Sequence, residues 1–321
     1  MNAPPKNFNV GDKFFETVHD YFHDLAYQRG FEKYIPLFKE DYIYSDHHRL
    51  HLEMLIQSPS SPTIIIVPGT AIYGFCYAGI MIKLYEAGFN VIAPDLRGHG
   101  RSTGVRGDYT IDELVSDVQH IISYAIKNFN PHVSLLGSSQ GAIVSLYTAS
   151  KDNRIESMVC QNIADLSAPE TAQLTRHQNL YKILRPLIIK AGELLPNTQV
   201  PIASYLNLES IKLSYYGNLK NFIAQDPLVL KSISLRALKS LSTAKMHKPI
   251  EHINIPTMVI SGKEDTIFPI AYTQSIFDKL QCQKELKIYD DCDHALIHEN
   301  VDLIHEDISN WFLKNSSIYS T

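Results

Sequence analysis

The residues Gly137-Ser138-Ser139-Gln140-Gly141 spell G-x-S-x-G, a spacing that can present a serine as a nucleophile. A serine hydroxyl is a weak nucleophile until a base takes its proton, and the base needs a third group to orient it. For that chemistry Ser139 must sit on a tight strand-to-helix turn with its Oγ thrust out of a sheet. A Cβ two residues before or after would collide with neighbouring backbone there, and both positions are glycine. A helix opening at the serine adds backbone N–H groups and a partial positive charge aimed at the reacting centre. Five residues make a short pattern, so its meaning depends on the elements around it.

Those elements have the required order. His132–Leu136 reads as a strand and Gln140–Ser150 as a helix. Upstream, Asp41–Ser45 and Arg49–Gln57 alternate like the strands of an antiparallel hairpin. Thr63–Val67 is a short apolar run suited to a strand buried on both faces. Phe75–Ala87 predicts a helix ending at Gly88, and Asn90–Ala93 another strand. Thr110-Ile111-Asp112-Glu113 matches a capping box, with Leu114, Val115, Val118, Ile121, Ile122 and Ala125 on one face of the helix behind it. Ser157–Asn162, Pro256–Ser261 and Glu285–Tyr289 are further strands, and Asn300–Phe312 is a last amphipathic helix. Alternating β and α units predict an α/β fold with a mostly parallel sheet flanked by helices. The rhythm breaks between residues 165 and 250, a stretch that reads as helical and is punctuated by prolines. Within it, the apolar run Leu180 to Leu195 suits a core helix or one wall of a substrate cavity.

Composition narrows the partners. The chain has 321 residues, 20% of them charged and 45% hydrophobic, and a net charge of −5. A mildly acidic chain without a basic run is a poor nucleic-acid binder, and no apolar run is long enough to span a membrane. At most, peripheral membrane contact is expected. The start lacks the pattern of a secretory signal. Of the four cysteines, Cys282 and Cys292 bracket an extended segment whose ends would lie about 25–30 Å apart, too far for a disulfide. Cys76 and Cys160 form no CxxC pair, so reduced thiols and a cytoplasmic location are expected. No His/Cys/Asp set has metal-ligand spacing, and Gly98-His99-Gly100 lacks the rest of a phosphate loop. No metal and no cofactor are therefore expected. His99 follows a strand well before Ser139 and reads as a structural residue that holds its loop.

Over residues 40–314 the sequence resembles the α/β-hydrolase superfamily, nearest to its branch of monoacylglycerol lipases, lysophospholipases and related serine hydrolases, the serine aminopeptidase S33 type. Pro68-Gly69-Thr70, Asp95-Leu96-Arg97-Gly98-His99-Gly100-Arg101-Ser102, Gly137-Ser138-Ser139-Gln140-Gly141, Asp226-Pro227-Leu228, Ser261-Gly262-Lys263-Glu264-Asp265 and Asp293-His294 carry the resemblance. It implies three catalytic residues in the chain order serine, acid, histidine. Asp265 matches the position of the acid, with Glu264 as its neighbour and competitor. His294 follows the last strand and matches the base, with His298 as a rival. Asp290, Asp291 and Asp293 crowd this histidine, and their charge is expected to raise its pKa. The resemblance places the oxyanion donors at the backbone N–H groups of Gln140 and of Thr70, Ala71 being the alternative. Many relatives have His-Gly where this chain has Pro68-Gly69-Thr70, so a Thr70 hydroxyl could add a third donor.

The division that follows is an N-terminal extension at 1–39, an α/β-hydrolase core at 40–164 and 251–321, and a helical cap inserted at 165–250. The resemblance implies a cofactor-independent serine hydrolase acting on a small-molecule carboxylic ester. A medium-chain acyl ester, monoacylglycerol or lysophospholipid is the expected substrate. A peptidase, acyltransferase or carbon–carbon hydrolase could use the same triad, and a binding protein on a retired hydrolase fold is the reading from another class.

Overall fold

A computed structural model describes residues 30–319. Most of the extension expected at 1–39 lies outside the described residues. Eight strands form the central sheet: β1 (Phe38–Ser45), β2 (His48–Leu55), β3 (Thr63–Val67), β4 (Asn90–Pro94), β5 (Val133–Ser138), β6 (Ile155–Gln161), β7 (Thr257–Gly262) and β8 (Lys284–Tyr289). Their order in space is β1-β2-β4-β3-β5-β6-β7-β8. The hairpin β1–β2 joins β4 antiparallel, and every later pairing is parallel. The sheet is flanked by α1 (Ala78–Glu86), α2 (Ile111–Asn128), α3 (Gln140–Ala149), α7 (Ile270–Lys279) and α8 (Val301–Asn315).

Local chemistry accounts for these elements. All of β3 is buried, as β-branched residues on both faces of a central strand require. Thr110 and Glu113 close a reciprocal capping box at the start of α2. Gly88 ends the α1 segment at φ 98°, in the left-handed region. The helix expected over Phe75–Ala87 begins differently: Gly74–Tyr77 is a 3-10 turn, and α-helix starts only at Ala78. Backbone of Ala93 lies so close to Gly74 that a Cβ there would sit 2.3 Å from its carbonyl oxygen, and the chain winds tightly to pass.

The stretch between β6 and β7 pairs with no strand of the sheet. It holds α4 (Gln178–Leu194), α5 (Leu219–Gln225) and α6 (Leu235–Thr243). The expectation of an all-helical segment needs correcting. Two antiparallel ribbons, Gln199–Pro201 with Ser232–Ser234 and Lys212–Leu213 with Gly217–Asn218, lie between the helices. These strands are too short to show an alternating pattern. One end of the segment is fastened to the core by ions and hydrogen bonds. Arg236 pairs with Asp108 at 3.0 Å and with Glu113 at 2.9 Å, and Ser234 Oγ donates to Asp108 at 2.6 Å.

Helix α4 overturns the core reading of the Leu180–Leu195 run and leaves Tyr181 as its contribution to the wall of a cavity at Ser139. Leu180, Ile183, Leu187 and Leu194 are 52–75% exposed, and Gly192 is the helix's one buried residue. The helix is amphipathic with its apolar face turned outward. Tyr181 faces the second cavity described below.

Candidate active site

The parallel strands deliver the site at their carboxyl ends, where an open α/β sheet offers a crevice. Thr70 follows β3, Ser139 follows β5, Asn162 follows β6, Asp265 follows β7 and His294 follows β8. Ser139 has φ 53° and ψ −119°, a strained turn for a residue with a side chain. The flanking glycines make it possible. A Cβ on Gly137 would lie 2.5 Å from Ala142 Cα, and one on Gly141 would lie 1.9 Å from the Val67 carbonyl oxygen.

Ser139, Asp265 and His294 meet in space although 155 residues separate the first from the last of them in the chain. His294 Nε2 lies 3.0 Å from Ser139 Oγ, and Nδ1 lies 2.7 Å from Asp265 Oδ2. Asp265 is 6% exposed and accepts from the backbone N–H groups of Ile267 (2.8 Å) and Phe268 (2.9 Å). Asn162 Nδ2 donates to its second oxygen at 2.9 Å. Burial opposes the charge on Asp265, but His294 and these donors outweigh it, so its pKa is lowered. Burial likewise opposes a charged His294. Asp265, and after it Asp293, outweigh that, and the imidazole pKa is raised. The expected effect of the neighbouring acids is thus carried by Asp293, while Asp290 is tied to Lys263 at 2.5 Å. Glu264 makes no bond to His294; its backbone N–H goes to the Cys292 carbonyl. His298 sits one turn on, against the Tyr77 ring, and does not reach Ser139 in this arrangement.

The Thr70 hydroxyl is not a third oxyanion donor. Its one proton goes to Gln140 Oε1 at 2.7 Å, an oxygen that also accepts from Tyr109 at 3.1 Å. His99 holds its loop as expected: Nδ1 lies 2.9 Å from the Arg97 carbonyl and burial lowers its pKa to about 4. Sequence reasoning missed Asn162, Phe268 and Gln161. Phe268 stacks parallel to His294 at 5.7 Å, and Gln161 Nε2 donates to the His294 carbonyl at 2.6 Å. The position of Gln161-Asn162 at the carboxyl end of a sheet strand was the one available signal.

Two cavities meet at Ser139. The first has about 840 Å3 of free space, mouth included, and is walled by Ile202, Leu208, Ile211, Leu213 and Phe222 of the inserted segment. The second, about 640 Å3, is lined by Leu174, Leu238 and Leu241 together with Thr171, Thr175 and Tyr205. Elsewhere, Glu40, His51 and Glu53 bring possible metal-ligand atoms within 4.8 Å of one another, a grouping their sequence spacing did not reveal. The Arg101 guanidinium already bonds both carboxylates, Glu53 at 2.6 Å, and supplies the positive charge there. All four cysteines are free thiols. No helix among the described residues is long and apolar enough to cross a membrane.

Fold and site geometry define an α/β-hydrolase, and comparison with known proteins gives the family. Residues 58–301 match the model of the serine aminopeptidase S33 family, and the chain belongs to it. It is 25% identical to a monoacylglycerol lipase of Mycolicibacterium smegmatis over 261 residues, 78% of this chain and 88% of the relative. A non-heme chloroperoxidase of Burkholderia pyrrocinia is 23% identical over 76% of this chain and 89% of its own length. Among solved structures, a soluble variant of the monoglyceride lipase of Saccharomyces cerevisiae superposes with a TM-score of 0.72 at 17% identity, covering 88% of this chain and 96% of that one. The chain is an enzyme of the ester-hydrolase type, in the branch that holds the monoacylglycerol lipases.

Proposed function

We propose that the chain hydrolyses a lipid-like or medium-chain acyl ester of the monoacylglycerol or lysophospholipid type, through Ser139, His294 and Asp265. His294 takes the proton of Ser139 as the hydroxyl attacks the ester carbonyl. The N–H groups of Gln140 and Thr70 hold the oxyanion. His294 then returns the proton to the departing alcohol, leaving an acyl-enzyme that water cleaves by the same route in reverse. Asp265 fixes the imidazole tautomer and stabilises its charge. Residues 165–250 act as a cap that walls the acyl chain from water.

The observation that carries the substrate class is the first cavity, apolar on the cap side and opening onto Ser139. Among the described residues neither cavity is lined by a carboxylate that could hold a free amino terminus, which disfavours a peptidase. Hydrolysis of p-nitrophenyl esters of increasing chain length tests the reading. The highest kcat/KM is expected at medium chain length; an acetate or butyrate optimum would count against a lipid substrate. The outward apolar face of α4 supports peripheral contact with a lipid surface. Cosedimentation with phosphatidylcholine vesicles, lost when Ile183 and Leu187 are both changed to Glu, is the expected result; equal binding by the variant would remove this contact.

A further inference from the structure

The loop from Pro68 to Gly74 carries the amides of Thr70 and Ala71, and Ala71 has φ 73°, unfavourable for a residue with a Cβ. Nothing in Gly69-Thr70-Ala71-Ile72 selects that conformation by itself. The loop is held from outside. At its ends, core residues do this: Gly69 N–H donates to Tyr77 Oη at 2.9 Å, and Gly74 N–H to Asp95 Oδ1 at 2.8 Å. In its middle the inserted segment takes over. Leu230 N–H donates to the Ala71 carbonyl at 2.9 Å, and Tyr73 Oη donates to Asp226 Oδ2 at 2.8 Å.

Asp226 does two jobs with its two oxygens. Oδ1 accepts from the N–H groups of Leu228 (2.8 Å) and Val229 (3.1 Å), which shapes the turn that presents Leu230. Oδ2 takes the Tyr73 hydroxyl. Both residues are buried, at 1% and 0% exposure, so water cannot substitute for the bond. Arg106 anchors the turn to the core, donating to the Leu228 carbonyl and, at 2.8 Å, to the Gly100 carbonyl. The turn is therefore a fixed bracket, and the loop leans on it.

We infer that Asp226, acting through Tyr73 and the Asp226–Leu230 turn, is a positioning residue that keeps the Thr70 amide aimed at the oxyanion. This rests on the reading of Ser139 as nucleophile. Part of the oxyanion site is thereby built by the cap. An amide that swings away leaves substrate binding nearly intact and weakens only the stabilisation of the charged intermediate.

The test is Tyr73→Phe in the full chain, assayed on a soluble p-nitrophenyl ester and with a fluorophosphonate. Loss of one oxyanion donor costs roughly 100–1,000-fold. A donor left partly misaimed should lower kcat about 10-fold or more, with KM changed less than about threefold. Inactivation by the fluorophosphonate, which also builds charge on an oxygen in that site, should slow by a similar factor. Asp226→Leu takes the acceptor from Tyr73 and from the Leu228 and Val229 amides together, and should lose at least as much. Either variant, folded by its thermal melt and with kcat within twofold of the parent, overturns the inference; so does a loss confined to KM. Ser139→Ala separates the two readings. If it stays active, the triad itself is wrong; if it is inactive while Tyr73→Phe is fully active, only the bracket is wrong.

Discussion

The elbow at Ser139 and the loop at Thr70–Tyr73 face the same reacting centre and are held in opposite ways. Each contains a residue with a side chain at positive φ, Ser139 at 53° and Ala71 at 73°. The elbow is shaped by its own glycines, whose missing Cβ atoms let strand, turn and helix close on one another. The loop has no such internal determinant past Gly69. Its form depends on Tyr77, Asp95, Leu230 and Asp226. A strained conformation fixed from within is robust and local. One fixed by remote partners can be lost without touching the strained residue.

The largest expected effect breaks the elbow. Gly141→Ala would set a Cβ against the Val67 carbonyl, and both backbones belong to the core. A loss of about 3 kcal/mol or more in unfolding free energy is expected, measurable by urea denaturation. A variant with parental stability would mean the elbow has slack that the collision distances deny. A much smaller effect sharpens the loop side. Thr70→Val removes a hydroxyl that bonds Gln140 and leaves the Thr70 amide in place. A fall in kcat of less than about fivefold is expected, the worth of a modest hydrogen bond. A loss of 100-fold would restore the hydroxyl as an oxyanion donor.

The smallest effect concerns the base that serves both regions. His294 must be neutral to take the serine proton, and Asp265 and Asp293 raise its pKa against the effect of burial. Activity is therefore expected to rise with pH through an apparent pKa above the ordinary histidine value of about 6.5, and to fall away below it. Asp293→Asn removes one of the raising charges. Its acid limb should move down by a few tenths of a pH unit, roughly what one partly screened charge supplies. An upward shift in the pH–rate profile would contradict this assignment of charges.

The same contrast explains what was legible in the sequence. Gly137 and Gly141 flag the elbow because the collisions they avoid recur wherever this turn is built. The sheet was legible because β3, β5 and β7 are short apolar runs, and α2 because Thr110 and Glu113 cap it. The loop's partners were not. Tyr73 and Asp226 lie far apart in the chain, and neither marks the other. Thr70 showed its residue type but not that Gln140 would claim its proton. The Leu180–Leu195 run showed an apolar face without showing what covers it, and the structure turns that face outward. Asn162 and Phe268 support Asp265 and His294 from positions that carry no motif.

The central claim is that Ser139 is the nucleophile of a preformed serine hydrolase site. Labelling with a fluorophosphonate, read by mass spectrometry of the intact protein and its peptides, tests it most directly. The parent chain should take up one phosphonyl group on Ser139, and folded Ser139→Ala should take up none. A folded parent that stays unlabelled, or a label that persists in Ser139→Ala, would contradict it.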